Sequence, residues 1–153
     1  MTALYLLRHG KAGDRSKWDA PDHLRPLSKR GRRQAEGLAD LLGKEPIARV
    51  VSSPFVRCRE TVEPLAARLG VQIETVDALA EGASVDDSVA LVDKLAGETV
   101  ALCTHGDVMG NLLWHFERQG VRIGEHLMQM GSAWILDTEA GAVISARYDP
   151  PTA

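Results

Sequence analysis

Apolar and polar positions switch between two periods along the chain, and the switches mark the elements. Ala3–Leu7 is a short unbroken apolar run that stops at Arg8, the pattern of a strand buried on both faces. A polar stretch from Gly10 to Pro26, rich in Gly, Asp and Pro, reads as a loop. Ser28 stands as a helix N-cap before Ala35, Leu38, Ala39 and Leu42 at helical spacing, and Gly43 ends that pattern. Ala48–Ser52 is a second strand. Ser53-Pro54 then opens a second helix with Pro at the first helical position. Its stripe is Cys58, Val62, Leu65, Ala66 and Leu69, ended by Gly70, and Pro64 inside the stripe predicts a kink.

Val71–Val76 alternates and is β-branched, which predicts a third strand. Ser84-Val85-Asp86-Asp87 fits a capping box for a helix that turns Val85, Val89, Val92 and Leu95 inward. Thr99–Cys103 is a further buried strand. Asp107 caps a helix with Met109, Leu112, Leu113 and Phe116 on one face. Ala133–Thr138 and Ala142–Tyr148 form a hairpin around Glu139-Ala140-Gly141. This alternation predicts an α/β fold: a three-layer α/β/α sandwich with a mostly parallel central sheet and a C-terminal antiparallel hairpin. Residues 1–153 read as one domain.

Composition adds limits. The 153 residues are 44% hydrophobic and 25% charged, the balance of a globular chain. A net charge of -3 supplies no global basic field, so neither nucleic acid nor a membrane is expected as a partner. An anionic substrate then needs a local cluster of positive groups. The start of the chain lacks the basic residues and longer apolar stretch of a secretory leader, and no apolar run reaches membrane-spanning length. Two cysteines, Cys58 and Cys103, make no disulfide framework. Reduced thiols in a cytoplasmic protein are the expectation.

In open α/β sheets ligands bind beyond the carboxyl ends of the strands. After the first strand come Arg8, His9 and Gly10. After the second comes Ser53-Pro54, with Arg57 in the following turn. Beyond Leu79 comes Glu81, and after the fourth strand come Thr104-His105-Gly106-Asp107. Two histidines, two arginines and a carboxylate at one sheet edge suit phosphoryl transfer. Guanidinium forks bind phosphoryl oxygens, and helix N-termini at Pro54 and Asp107 add N–H groups. One neutral imidazole, its pKa lowered by the arginines, can attack phosphorus. The second, protonated beside a bound phosphate, can stabilise developing charge. A carboxylic acid can protonate the leaving atom and then activate water. A metal at His9 and His105 is disfavoured by the adjacent arginines, and no metal or other cofactor is expected.

Four blocks carry a resemblance: LYLLRHGKA at 4–12, LSKRGRRQA at 27–35, SSPFVRCRETVEPLA at 52–66 and THGDV at 104–108. In order and spacing they resemble the signature segments of the histidine phosphatase superfamily, the phosphoglycerate-mutase-like group. The resemblance implies that His9 becomes phosphorylated and that Arg8, Arg57, His105 and Gly106 hold the phosphoryl group. Glu81 falls where many members carry the proton donor, with Asp14, Asp19 and Asp22 as alternatives. Lys11-Ala12 and DHLRPLS at 22–28 lean toward the short SixA-type phosphohistidine phosphatases, and the length leaves little room for a lid. That branch implies a phosphohistidine on a protein as substrate. A small phosphoester or nucleotide is the second reading, and a regulatory domain that binds phosphorylated ligands without turnover is the third. His23, His115 and His126 read as structural, and Lys29, Arg30, Arg32 and Arg33 as a solvated helix face or a docking surface for an acidic partner. Trp18 either lines the pocket or packs its loop.

Overall fold

Why the first strand is apolar throughout becomes plain in the sheet. The computed structural model describes residues 2–153. Strand β1 (Thr2–Arg8) lies between β4 (Val100–Thr104) and β5 (Ala133–Glu139) in a six-stranded sheet. The order is β3-β2-β4-β1-β5-β6, with β2 at Arg49–Ser52, β3 at Ile73–Thr75 and β6 at Ala142–Asp149. The first four are mutually parallel, and β5 and β6 add the antiparallel pairs. Side chains alternate across a strand. Ala3, Tyr5 and Leu7 therefore enter one core, and Leu4 and Leu6 the other. Helices α1 (Lys29–Leu42) and α2 (Val56–Leu69) cover the first face, and α3 (Val85–Leu95) and α4 (Gly106–Arg118) the second. The three-layer expectation holds.

Local signals act largely as read. The Ser28 and Ser84 hydroxyls accept from the N–H groups of Gly31 and Asp87 at 3.1 Å each. Gly70 ends α2 in the left-handed conformation at φ 71°. Ala140 and Gly141 both take positive φ, so the hairpin turns through a primed geometry that matches strand twist. No helix is long and apolar enough to cross a membrane among the described residues. Cys58 and Cys103 are free and buried.

Four expectations change. Helix α2 begins at Val56 behind Phe55, so Pro54 precedes the helix instead of opening it, because the Ser53 hydroxyl already turns the chain by accepting from the Phe55 N–H at 3.2 Å. His105, not Asp107, occupies the N-cap of α4, and Asp107 lies one residue inside the first turn. Val85 is 43% exposed, since it starts α3 beyond the sheet edge where nothing covers it. The third strand is only three residues long because β3 pairs with β2 alone, at Val50–Ser52.

Candidate active site

Sheet order decides the site. β4 sits between β2 and β1, and its register pairs Thr104 with Arg8 and Cys103 with Ser52. Pairing runs one step past each strand: the His9 N–H donates to Thr104 O at 3.1 Å, and the Ser53 N–H to Cys103 O at 3.0 Å. His9, Ser53 and His105 thus leave the sheet side by side. The two imidazole centroids are 5.3 Å apart. The cavity they face measures about 420 Å³ and is lined by all five predicted site side chains, Arg8, His9, Arg57, Glu81 and His105, together with Gly106.

Each signature residue has a physical task. The Gly10 N–H donates to Thr61 Oγ1 at 2.9 Å, and Thr61 donates to the Arg57 carbonyl at 2.7 Å, which ties the loop after β1 to α2. Buried Gln34 accepts from the Lys11 N–H at 2.8 Å. A side chain at Gly31 would meet the Lys11 carbonyl at 2.1 Å, so only glycine lets α1 approach this loop. At Gly106 a Cβ would stand 3.1 Å from the Arg8 guanidinium, which lies flat on the start of α4.

The imidazoles are set by their partners. His9 is buried, and its Nδ1 lies 2.7 Å from its neighbour's carbonyl, Gly10 O. A carbonyl only accepts, so Nδ1 carries the proton and Nε2 keeps its lone pair. Burial pushes His9 down to about 4; the Gly10 contact opposes this, and Arg57, Arg8 and Arg25 add to the fall. The arginine effect expected from sequence is real but secondary to desolvation. For His105, burial is again the first cause, followed by His9, Arg57 and Arg8, and the value is about 3. His105 is therefore neutral beside these protein groups alone; the imidazolium expected beside a bound phosphate requires the charge of that phosphoryl group. Ser53 Oγ, which accepts from Phe55, lies 2.9 Å from His105 Nε2. With the hydroxyl donating to Nε2, Nδ1 is the donor that faces the cavity.

Among the described residues five buried side-chain polar atoms lack a hydrogen-bond partner, and three of them are Arg8 Nε, Arg57 Nε and His105 Nδ1. Buried donors are nearly always satisfied, so three orphans from three different elements around one cavity mark a place for acceptors. Three of the remaining guanidinium nitrogens are held from behind. Arg8 Nη1 donates to Met128 O at 2.6 Å. Arg57 Nη1 and Nη2 donate to Asp22 O and Oδ2 at 3.0 Å each, and Nη2 also to Glu81 Oε1 at 3.2 Å.

Carboxylates sort themselves clearly. Glu81 Oε1 stands between Arg57 and His105 Nδ1, 3.8 Å from the latter. Its turn is pinned by Thr104, whose hydroxyl donates to Leu79 O at 2.6 Å, and by Asp107, which accepts from the Gly82 N–H at 2.8 Å. Of the loop aspartates only Asp22 reaches the network. Burial works against its charged form, yet Arg25 and Arg57 hold its carboxyl below the usual range. Asp14 caps the turn Arg15–Lys17 instead, and Asp19 lies outside the cavity. Trp18 donates to Pro21 O and packs its loop; His23 stacks edge-on to Phe55 outside the lining. Sequence reasoning missed Arg25, a buried cavity residue whose Nε reaches Asp22 Oδ1 at 3.0 Å. The opposite charges three residues apart were its one visible signal. Ser53, read only as a helix opener, was missed as the partner of His105.

Comparisons agree with this geometry. The 8-oxo-(d)GTP phosphatase of Mycolicibacterium smegmatis is 37% identical over 152 residues, covering 95% of this chain and 47% of that protein. The chain thus spans about half the length of that relative. The structure of the protein histidine phosphatase SixA complexed with tungstate superposes with a TM-score of 0.75 at 22% identity, covering 97% of this chain and 94% of that one. A chain from Nakamurella multipartitia, described as a SixA phosphohistidine phosphatase, gives 0.73 at 26% identity, covering 99% and 97%. The model of the histidine phosphatase superfamily (branch 1) matches residues 4–87, more than half of the sequence and the stretch that carries Arg8, His9, Arg57 and Glu81. By that match, on a sheet that brings its signature residues together, this chain belongs to the histidine phosphatase superfamily.

Proposed function

We propose that the chain hydrolyses phosphorylated substrates through a phosphorylated His9, without a metal ion, and that nucleotides are its preferred substrate class. The observation that carries the catalytic reading is the set of orphaned donors, Arg8 Nε, Arg57 Nε and His105 Nδ1, around the free Nε2 of His9. Three phosphoryl oxygens satisfy three donors. Nε2 attacks phosphorus, the N–P bond forms as the bond to the leaving atom breaks, and the departing electron pair is stabilised there. Protonated Glu81 supplies a proton where the leaving group needs one. Its carboxylate then takes a proton from the water that attacks phospho-His9, and inorganic phosphate departs as the electron pair returns to Nε2. Arg8, Arg57, His105 and the Gly106 N–H at the start of α4 hold the charge in both steps.

Metal independence rests on charge. The lining holds five cationic side chains, Arg8, Lys11, Arg15, Arg25 and Arg57, against two carboxylates, Glu81 and Asp107. A divalent cation is repelled there and an anion is drawn in.

Two observations support the substrate reading. The relative that matches 95% of this chain at 37% identity is an 8-oxo-(d)GTP phosphatase, and the cation excess exceeds what one phosphoryl group requires. Protein phosphohistidine is the second reading, favoured by the fold likeness to SixA structures and by the exposed cluster Lys29, Arg30, Arg32 and Arg33. Turnover with excess chelator on a phosphohistidine carrier domain and on a panel of nucleotides separates them, with His9→Ala as the blank. The expected result is His9-dependent release of phosphate, faster from nucleotides. Preference for the carrier reverses the substrate reading, and a strict metal requirement removes the mechanism. A phospho-enzyme that never discharges turns the chain into a binding domain.

A further inference from the structure

A second cavity of about 250 Å³ opens beside the His9 pocket, and Arg8, Lys11 and Met130 form the wall between the two. Arg30, Gln34 and Gln129 line its far side, and no carboxylate lines it. Arg30 and Lys11 form no ion pair with a side-chain carboxylate among the described residues, and both are exposed. Arg30 Nη2 donates to an oxygen of the terminal residue Ala153 at 3.3 Å. The cavity is positioned by construction. Lys11 is fixed at its N–H by Gln34, and at its carbonyl by the N–H and hydroxyl of Ser28, the residue that caps the helix bearing Arg30. Together the two cavities gather six cationic side chains against Glu81 and Asp107.

We propose that the cavity between Arg8, Lys11 and Arg30 is a second anion subsite, which takes the next phosphate of a substrate whose terminal phosphoryl group enters the His9 pocket. It rests on the His9 reading above and narrows its substrate class to molecules with a phosphate chain, nucleoside diphosphates and triphosphates foremost. The step balances simply. The terminal P–O bridge breaks as the Nε2–P bond forms, and the electron pair leaves on an oxygen of the shortened nucleotide. That oxygen is already an acceptable anion, and its charge lies beside Arg30 and Lys11. Water then attacks phospho-His9, a proton passes to the Glu81 carboxylate, and orthophosphate leaves.

Arg30 tests the subsite because it lines only the second cavity and is exposed, so its replacement leaves the fold intact. The readout is kcat/KM on GDP, GMP and p-nitrophenyl phosphate, in chelator, for the wild-type chain, Arg30→Ala and Arg30→Lys. The wild type should prefer GDP. Arg30→Ala should lower the GDP to p-nitrophenyl phosphate ratio about tenfold, the scale of one charge-assisted contact, and Arg30→Lys should restore part of it. Competition adds a binding readout: inorganic pyrophosphate should inhibit p-nitrophenyl phosphate hydrolysis more strongly than orthophosphate, and Arg30→Ala should erase the difference. An unmoved ratio with intact p-nitrophenyl phosphate turnover overturns the subsite alone. So does a loss in Arg30→Ala confined to a phosphohistidine carrier domain, which would make Arg30 a docking residue. Absence of His9-dependent turnover on every substrate removes the catalytic reading and the subsite with it.

Discussion

Strand β2 has an arginine near each end, and each arginine lies between two carboxylates. At the amino end, Arg49 spends every nitrogen: Nε and Nη2 donate to Glu74 at 3.0 and 2.8 Å, and Nη1 to Glu98 at 3.1 Å. Its side chain is 35% exposed, and the Glu74 hydrogen bonds raise its pKa. Past the carboxyl end, Arg57 is 1% exposed and uses only its two terminal nitrogens, on Asp22 and Glu81. Its Nε is buried and unpartnered. Composition around the two is alike, but accounting of donors separates them. A saturated guanidinium joins strands; a buried one with an open donor is held in place for an acceptor that the chain itself does not provide.

Substitution should separate the two ends most sharply. Arg57→Ala is expected to lower kcat/KM on p-nitrophenyl phosphate by about a thousandfold, the cost of losing an oxyanion donor. Arg49→Ala should leave it within about twofold and cost at most about 1 kcal/mol of stability, as for exposed pairs. In the same samples, tungstate should raise Tm for the wild type and Arg49→Ala but not for Arg57→Ala. Similar losses at both positions would dissolve the distinction.

Next in size is a pH effect confined to the buried end. His9 falls to about 4 and His105 to about 3, both below the ordinary value near 6.5, so the unfolded chain binds more protons between those limits. Stability is therefore full above about pH 6.5 and declines as pH drops toward 4, by roughly 3 kcal/mol for His9 alone. His9 is itself one cause of the fall at His105, so the two effects do not add. Denaturant midpoints across this range should show the loss, and His9→Gln should reduce it. A flat profile would refute the buried neutral pair.

The smallest effect concerns the carboxylates around Arg57. Glu81→Gln should slow ester hydrolysis about a hundredfold, the low end for a positioned acid–base group, and phosphoamidate hydrolysis less. Equal losses on both substrates would move the proton-donor role elsewhere, with Asp22 the next candidate because it alone of the loop aspartates reaches Arg57.

Much of this was legible in advance. Period switching located six strands and four helices because burial on one stripe or both faces leaves a mark on every residue of an element. Capping serines were legible for a similar reason: Ser28 and Ser84 act within three residues of themselves. Errors cluster where a side chain answers to something distant. Ser53 turns toward His105, which displaces the start of α2, and Asp107 turns toward Gly82, which removes it from capping. The sequence points to the arginines as the main cause of the His9 shift, whereas burial, which no local pattern displays, outweighs them.

By itself the sequence determined the element types, the residues that stand past each parallel strand, and the family to which they belong. Only the tertiary structure decided that β4 inserts between β2 and β1, and thus that His9, Arg57 and His105 meet at one cavity. It alone decided which donors stay open and that Arg25 and Asp22 brace them. Local patterns report how a segment meets water. Strand order and donor saturation arise from pairings across 50 or 100 residues, such as Ser53 with His105 or Arg8 with Thr104, and these form only when the chain closes on itself.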